Sequence, residues 1–337
     1  GNPEPMSNPV WLWTIDQRLS GWSANLAFQG PRSEDAGPCW SFGRYGRTET
    51  ALSDGRLVRI GGEYEDWYDP DFYIYNDVIV TDGAGQTEIF GYSEDAFPPT
   101  DFHTATLVED LIFVIGNLSY PENRQQRAQL LTLDTNGYRF ERVAASGDTP
   151  PWLYKHSAEY SGHGRILVRG GLMIHPHWSI SVENIDDWQF DLGSHSWYRL
   201  TRRAWPRFIF RRADRNPNHL YDMRRLGRLQ MSRGRWDDLR ARLSSDLGTE
   251  PRLDLVEKLY RPAVPHEVVL QGKDEFRVQR LSVDGVTVRY DEGRHDVTIT
   301  VEGTLPIDIV EHLRTDLLKK LVEIEGAAFD CMPLLSD

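Results

Sequence analysis

Three stretches of this 337-residue chain follow one pattern at intervals of 54 and 53 residues. They open at Glu49-Thr50-Ala51, His103-Thr104-Ala105 and His156-Ser157-Ala158. Each continues into a short apolar segment that stops at glycine: 57–62, 111–116 and 166–171. About 20 residues later a second segment ends in an aspartate: Asp82, Asp134 and Asp191. A period near 50 residues predicts one supersecondary unit repeated along the chain.

The repeat residues resemble those of kelch repeats. The matching features are the glycine pair after the second strand, Asn76-Asp77 before the third, the closing aspartate, and Trp197 in the fourth. The resemblance covers residues 10–201 and implies a β-propeller built from four-stranded blades. The second repeat departs from the pattern with Gly116-Asn117 in place of two glycines, and the first has Glu49 where the others have histidine.

The number of repeats is too small for a complete propeller. Residues 11–16 and 21–26 match a third and a fourth strand, which gives three full blades and a half-blade after an N-terminal tail of residues 1–9. Propellers usually close with about 4–8 blades. We therefore expect a small or incomplete propeller, closed by residues 205–210 or by a strand from 266–302. An open stack is the alternative.

Loop lengths divide such blades into a short-loop face and a long-loop face. The long loops are 63–75, 117–127 and 172–183, and long loops on a rigid scaffold commonly bind partners. Loop 63–75 alternates five carboxylates with six aromatics, which would suit a basic protein surface. The predicted partner-binding residues are Glu65, Asp66, Trp67, Tyr68, Asp69, Tyr120, Arg124, Trp152, His175, His177 and Trp178. In the competing interpretation, the rings of loop 63–75 pack on the blade and its acids face water.

Other chemistry finds less support in these residues. His175 and His177 could begin a metal site, but a zinc site needs three or four ligands, so we expect no metal, no cofactor and no catalytic residue. Two kelch-like sugar enzymes, a mutarotase and a copper-radical oxidase, remain the alternative function. Arg59 and Arg169 would share one repeat position in the mutarotase-like case, although Ile115 interrupts the set.

The net charge of −13 is unevenly distributed. Residues 202–242 contain 13 Arg and 4 Asp, which is +9, so the remainder carries −22. This stretch matches no nucleic-acid-binding motif, and we favour its packing against the acidic remainder over nucleic-acid binding. Residues 202–250 are predicted to be a partly helical connector. Residues 251–337 are predicted to form an α+β domain of antiparallel strands with a C-terminal helix over 306–325.

These patterns lead to one main functional hypothesis. The chain is expected to be a protein-binding scaffold in the cytoplasm, in one version an immunity-type protein that neutralises a basic bacterial toxin. No signal peptide is visible, the only thiols are Cys39 and Cys331, and no apolar run approaches the ~20 residues of a membrane span. A homodimer formed through the C-terminal domain is a further alternative.

Overall fold

The computed structural model describes residues 1–30, 40–65, 72–175, 180–229, 237–269 and 278–334. The chain is mainly β and divides into two compact units, Gly1–Arg202 and Arg203–Asp337. No helix in the described ranges is long and apolar enough to cross a membrane.

The first unit begins with a short strand and two helices. These are β1 (Glu4–Met6), α1 (Pro9–Gln17) and α2 (Gly21–Ala27). The prediction of strands over 11–16 and 21–26 is therefore wrong. Asn8 caps the first helix by accepting from the Val10 amide, Pro9 occupies its first turn, and Ser20 caps the second helix. These capping signals outweigh the resemblance of the two segments to repeat strands.

The first repeat forms an antiparallel sheet, called sheet I. Its strands lie in the order β1-β7-β6-β3-β2, and β4 and β5 form a separate hairpin that projects between β3 and β6. The bounds are β2 (Thr48–Ala51), β3 (Leu57–Ile60), β4 (Glu63–Tyr64), β5 (Tyr73–Ile74), β6 (Asp77–Thr81) and β7 (Thr87–Gly91).

The second and third repeats form sheets II and III. Sheet II has the order β11-β10-β9-β8, and sheet III has the order β12-β19-β18-β15-β14, where β12 pairs in parallel with β19. A small sheet has the order β13-β16-β17. In the chain, its strand β13 precedes β14, and its strands β16 and β17 lie between β15 and β18. The bounds are β8 (Thr104–Val108), β9 (Leu111–Ile115), β10 (Leu130–Asp134), β11 (Phe140–Arg142), β12 (Ser146–Gly147), β13 (Leu153–Tyr154), β14 (Ser157–Gly162), β15 (Arg165–Arg169), β16 (Leu172–Ile174), β17 (Ser181–Glu183), β18 (Trp188–Asp191) and β19 (Ser196–Arg199).

Strand alternation places sheet II between the other two sheets. Ile112 and Val114 of β9 belong to a core shared with sheet I, whereas Phe113 and Ile115 belong to a core shared with sheet III. Successive side chains of a strand point to opposite faces, so a strand that is apolar throughout is a strand buried on both faces. This explains why β9 reads as an uninterrupted apolar run.

The face of sheet III that points away from sheet II is polar. Glu159, Leu167, Gln189 and Tyr198 form one row across it by strand register, and Tyr198 is 49% exposed. Among the described residues no sheet closes into a ring. Neither segment expected to complete a propeller does so, because residues 205–210 and the strands within 266–302 belong to the second unit.

A histidine and a threonine link each pair of neighbouring sheets. Nε2 of His103 lies 2.8 Å from Oγ1 of Thr48, and Nε2 of His156 lies 3.0 Å from Oγ1 of Thr104. The bond therefore runs from the start of one repeat to the first strand of the repeat before it.

Strand register corrects the alignment of the repeats. Thr48 faces Ile60, Thr104 faces Ile115, and Ser157 faces Arg169. The residue preceding each of these is Arg47, His103 or His156. The counterpart of the two histidines in the first repeat is thus Arg47 and not Glu49, and the counterpart of Arg169 is Ile60 and not Arg59.

The second unit is an α+β structure with one six-stranded sheet in the order β21-β22-β23-β24-β20-β25. Its core contains residues of α3, α4, α5, α6 and the sheet. The segment expected to be a connector supplies β20, which pairs with both β24 and β25 and is integral to the sheet. The bounds are β20 (Arg207–Arg212), α3 (Leu220–Leu229), α4 (Asp237–Leu247), α5 (Leu253–Lys258), β21 (Glu267–Val268), β22 (Val278–Val283), β23 (Val286–Glu292), β24 (Asp296–Val301), α6 (Ile307–Glu325) and β25 (Phe329–Pro333).

Candidate functional site

The long loops of the first unit contact one another. The phenolic oxygen of Tyr120, in the loop after β9, accepts a hydrogen bond of 2.8 Å from the Ile74 amide in the β4–β5 hairpin. The rings of Phe72 and Tyr120 meet edge to face with centroids 5.8 Å apart. The loop of the second repeat therefore supports the hairpin of the first.

Arg124 and Trp152 also stabilise the loop after β9. Nε of Arg124 and Nε1 of Trp152 both donate to the carbonyl oxygen of Leu118, at 2.9 and 3.3 Å. Arg124 also donates to the Ser119 carbonyl. Trp152 is only 4% exposed, so its side chain braces the loop from within and does not form part of the surface.

His175 is also buried. Its side chain is 8% exposed, and its backbone amide donates to the Ile180 carbonyl at 2.7 Å. No cluster of three or more His, Cys, Asp or Glu side chains that could hold a metal occurs in the described part of the chain. The other predicted residues of this face, Asp66, Trp67, Tyr68, Asp69, His177 and Trp178, lie outside the described residues.

Aromatic and acidic side chains are exposed around the β4–β5 hairpin. Tyr45 is 65% exposed and Tyr73 is 39% exposed, while Glu65 follows β4 and faces water. Tyr45 is tied to the hairpin by two backbone hydrogen bonds of 2.8 Å with Glu63, and Tyr73 lies directly opposite Tyr64 in the hairpin. We call Tyr45, Glu65 and Tyr73 the hairpin surface. Sequence reasoning missed Tyr45 because only the three-dimensional pairing with Glu63 brings it beside the hairpin.

Half-buried Glu63 of the hairpin and fully buried Asp101 form a pair of interacting carboxyl groups. Asp101 is fully buried, its Oδ1 accepts from the Ser119 amide at 2.8 Å, and its Oδ2 has no hydrogen-bond donor among the described residues. Burial, and then the neighbouring Asp101 carboxylate, raise the pKa of Glu63 to about 7. Burial also raises the pKa of Asp101. The two carboxyls are therefore suited to share one proton.

The arginine-rich stretch pairs with acids of its own unit. Arg212 contacts Asp214 at 2.7 Å and Glu325 at 2.8 Å, Arg224 contacts Glu292 at 2.9 Å, and Arg242 contacts Asp222 at 3.0 Å. These contacts neutralise part of the positive charge within the second unit. The sequence predicts that the acidic remainder of the whole chain does so.

Comparison with known proteins gives weak similarities. No family model and no curated protein matches the chain. The structure of YjhT is 14% identical, with a TM-score of 0.36 over 48% of this chain and 52% of that chain, so the match spans about half of its length. A cryo-EM structure of RAG in complex with one melted and one unmelted RSS is 13% identical, with a TM-score of 0.34 over 77% of this chain and 68% of that chain. Neither similarity establishes a family.

Proposed function

We propose that this protein is a protein-binding scaffold that uses the long-loop face of its first unit. The observation that carries the proposal is the exposure of Tyr45 and Tyr73 beside Glu65 on loops that Tyr120, Arg124 and Trp152 hold in place. Aromatic residues are frequent energetic anchors of protein interfaces. A surface that is already ordered loses less conformational entropy when it binds.

The charge of the chain favours a basic partner. The net charge is −13, and the described acid of the hairpin surface, Glu65, is exposed. Complementary charge speeds association and selects against acidic partners. In its most specific form the proposal is an immunity-type protein that covers the surface of a basic bacterial toxin in the cytoplasm.

The scaffold in this proposal is a small, incomplete kelch-like propeller. Sheets I, II and III correspond to its three full blades. Their support is the shared order of four antiparallel strands, the glycine stops, and the core that each neighbouring pair of sheets shares. The N-terminal half-blade is withdrawn, because its two segments are helices.

A sugar enzyme gains no support from the repeat arginines. Arg59 and Arg169 occupy different repeat positions by strand register. Arg59 donates to Thr81, and Arg169 lies 3.7 Å from Asp187. The two side chains therefore do not form the matched set that a mutarotase-like site was expected to use.

The test is binding to cationic proteins encoded beside the gene, measured by titration calorimetry with purified components. We expect the double variant Tyr45→Ala/Tyr73→Ala to weaken binding at least tenfold, about 1.4 kcal/mol. The matched control is Tyr198→Ala, since Tyr198 is 49% exposed but lies on the outer face of sheet III. Equal losses in the variant and the control, or a dissociation constant that does not respond to salt, would refute the proposal.

A further inference from the structure

An aromatic cavity of about 740 Å³ lies in the first unit between α1 and sheet I. Five rings line it, from Trp11, Trp40, Tyr73, Tyr75 and Tyr92. Its volume is in the range of small-molecule sites, which are typically concave and predominantly apolar. Apart from Tyr73, none of these rings belongs to the hairpin surface.

The rings are arranged in contact with each other. Trp11 and Trp40 stack with centroids 5.1 Å apart and planes inclined by 15°, and Tyr73 meets Tyr75 edge to face at 5.1 Å. Trp11 is supplied by α1 and Trp40 by the segment that precedes β2. The wall is therefore assembled from separate parts of the chain and is not a property of one loop.

The carboxylate in the cavity is already neutralised. Asp77 accepts from both terminal nitrogens of Arg44, and its Oδ2 also accepts from Nε1 of Trp40 at 2.8 Å. The Arg44 guanidinium lies 3.5 Å from the centre of the Tyr75 ring. Among the described residues that line the cavity, the only other acid is Glu4, whose side chain is 68% exposed. A cationic ligand would thus meet no unpaired buried charge.

Three further polar groups of the cavity are also engaged in hydrogen bonds. Nδ2 of Asn76 donates to the Tyr92 carbonyl, the Tyr92 hydroxyl donates to the Tyr138 carbonyl, and the Tyr75 hydroxyl accepts from the Ser41 amide. A sugar needs several free donors and acceptors in its site, because its hydroxyls lose their hydrogen bonds to water on binding. What the cavity offers most is ring surface.

We propose that this cavity binds an uncharged planar aromatic ring. Offset or edge-to-face ring contacts are worth about 0.5–1.5 kcal/mol each beyond the burial of area. Two sources supply such a ring, a free aromatic compound and an exposed aromatic side chain of a protein, and the experiment distinguishes them. Both sources present the same face to Trp11 and Trp40.

The experiment is saturation-transfer NMR and titration calorimetry on the full chain. Indole represents the free compound, and N-acetyl-tryptophanamide represents a side chain within a peptide. We expect saturable binding of at least one probe. Binding of indole alone would identify a small-molecule site, and a preference for the amide would identify a side-chain site. Failure of both to bind up to their solubility limits would overturn the proposal.

Two variants locate the binding. Trp11→Ala should weaken it about tenfold, whereas Trp22→Ala, a change at a 57% exposed tryptophan of α2 that does not line the cavity, should leave it unchanged. If Trp11→Ala does not fold, Tyr73→Ala provides the second test. Equal affinity in the cavity variants and the wild type would refute the assignment. Tighter binding of methyl glucoside or tetramethylammonium than of indole would also refute it.

Discussion

Glu325 is a buried acid and Glu63 is a half-buried one, and their surroundings differ. The Glu325 side chain is fully buried and accepts from Nη1 of Arg212 and the amide of His219, each at 2.8 Å. Nδ1 of His219 lies 2.8 Å from the same carboxylate. Glu63 instead faces a second carboxyl group, that of Asp101. Glu325 is therefore surrounded by hydrogen-bond donors, whereas burial and the Asp101 carboxylate raise the pKa of Glu63.

Replacing Arg212 tests the first arrangement. Arg212→Ala should lower the free energy of unfolding by about 3 kcal/mol, because it leaves the buried Glu325 carboxylate without its cation. Arg215→Ala is the control, since the Arg215–Asp330 pair is exposed at 58% and 45% and should change stability by less than about 1 kcal/mol. Urea denaturation of both variants measures the difference. Similar small changes in the two would show that Glu325 is satisfied without Arg212.

The pH dependence of stability tests the second arrangement. The pKa of Glu63 is about 7 in the folded chain and 4.5 when unperturbed. Between these values the folded state binds more protons than the unfolded state, so the stability due to Glu63 is present below pH 4.5 and is lost as pH rises through about 7.

The variant Glu63→Gln should remove this decline. The measurement is the unfolding free energy of the wild type minus that of the variant, at several pH values across pH 4.5–7.5. Glu122→Gln, a change at an exposed acid of the loop after β9, is the control and should keep the wild-type slope. Subtracting the variant from the wild type is needed because two histidines also make stability depend on pH. Burial lowers the pKa of His103 to about 3 and that of His156 to about 4. These histidines contribute stability that is lost as pH falls below about 6.5. A wild-type slope in Glu63→Gln would contradict the shared proton.

At the scale of elements, the sequence predicted strands well where a local signal marked their ends. The glycine stops correctly end β3, β9 and β15, and the closing aspartates lie at or directly after the ends of β6, β10 and β18. Asp284-Gly285 joins β22 to β23 with both residues at positive φ, as the hairpin turn signal requires.

Elements marked by resemblance alone were predicted less well. The resemblance to later repeats predicts strands at 11–16 and 21–26, whereas the capping residues Asn8 and Ser20 indicate the helices that the structure shows. In the candidate site, the sequence located the long loops, but it could not show that Trp152 and His175 are buried or that Tyr45 is exposed. Those properties depend on contacts between residues far apart in the chain.

Gly116, the glycine that ends β9, lies where neighbouring parts of the chain pack closely. A Cβ at Gly116 would overlap the Leu153 carbonyl oxygen and lie 2.5 Å from Cε1 of His156, and its φ is +74°. Gly116→Ala should therefore cost about 2 kcal/mol or more. Gly83→Ala is the control, because nothing lies within 4 Å of its Cβ position. Thermal unfolding of both variants is the measurement, and equal melting temperatures would contradict the role of close packing.

At the scale of the whole molecule, the two units have separate cores. Among the described residues, the core of the second unit draws on residues from Phe208 to Cys331 and on none of the first unit. The first unit shares its cores between neighbouring sheets and presents a polar face at the outer side of sheet III. A polar outer face is typical of the terminal member of a stack of repeats.

The second unit should therefore fold by itself. A fragment of residues 203–337 is expected to unfold cooperatively in urea and to give a dispersed amide NMR spectrum, since its apolar contacts are internal. A shorter fragment of residues 251–337, which matches the predicted domain but lacks β20 and α3, should not fold, because β24 and β25 lose the strand between them. A folded shorter fragment would contradict the placement of β20 in the core sheet.

The order of synthesis also fixes the order in which the histidine–threonine links form. Each joins a threonine to a histidine that follows it by 55 or 52 residues. On the ribosome, where chains emerge from the N-terminus at about 5–20 residues per second, Thr48 waits several seconds for His103, and Thr104 then waits for His156. Each link thus forms only after the start of the next repeat has been made. While the second repeat is being made, Thr104 has not yet met His156, and sheet III has Ser157 at the corresponding position.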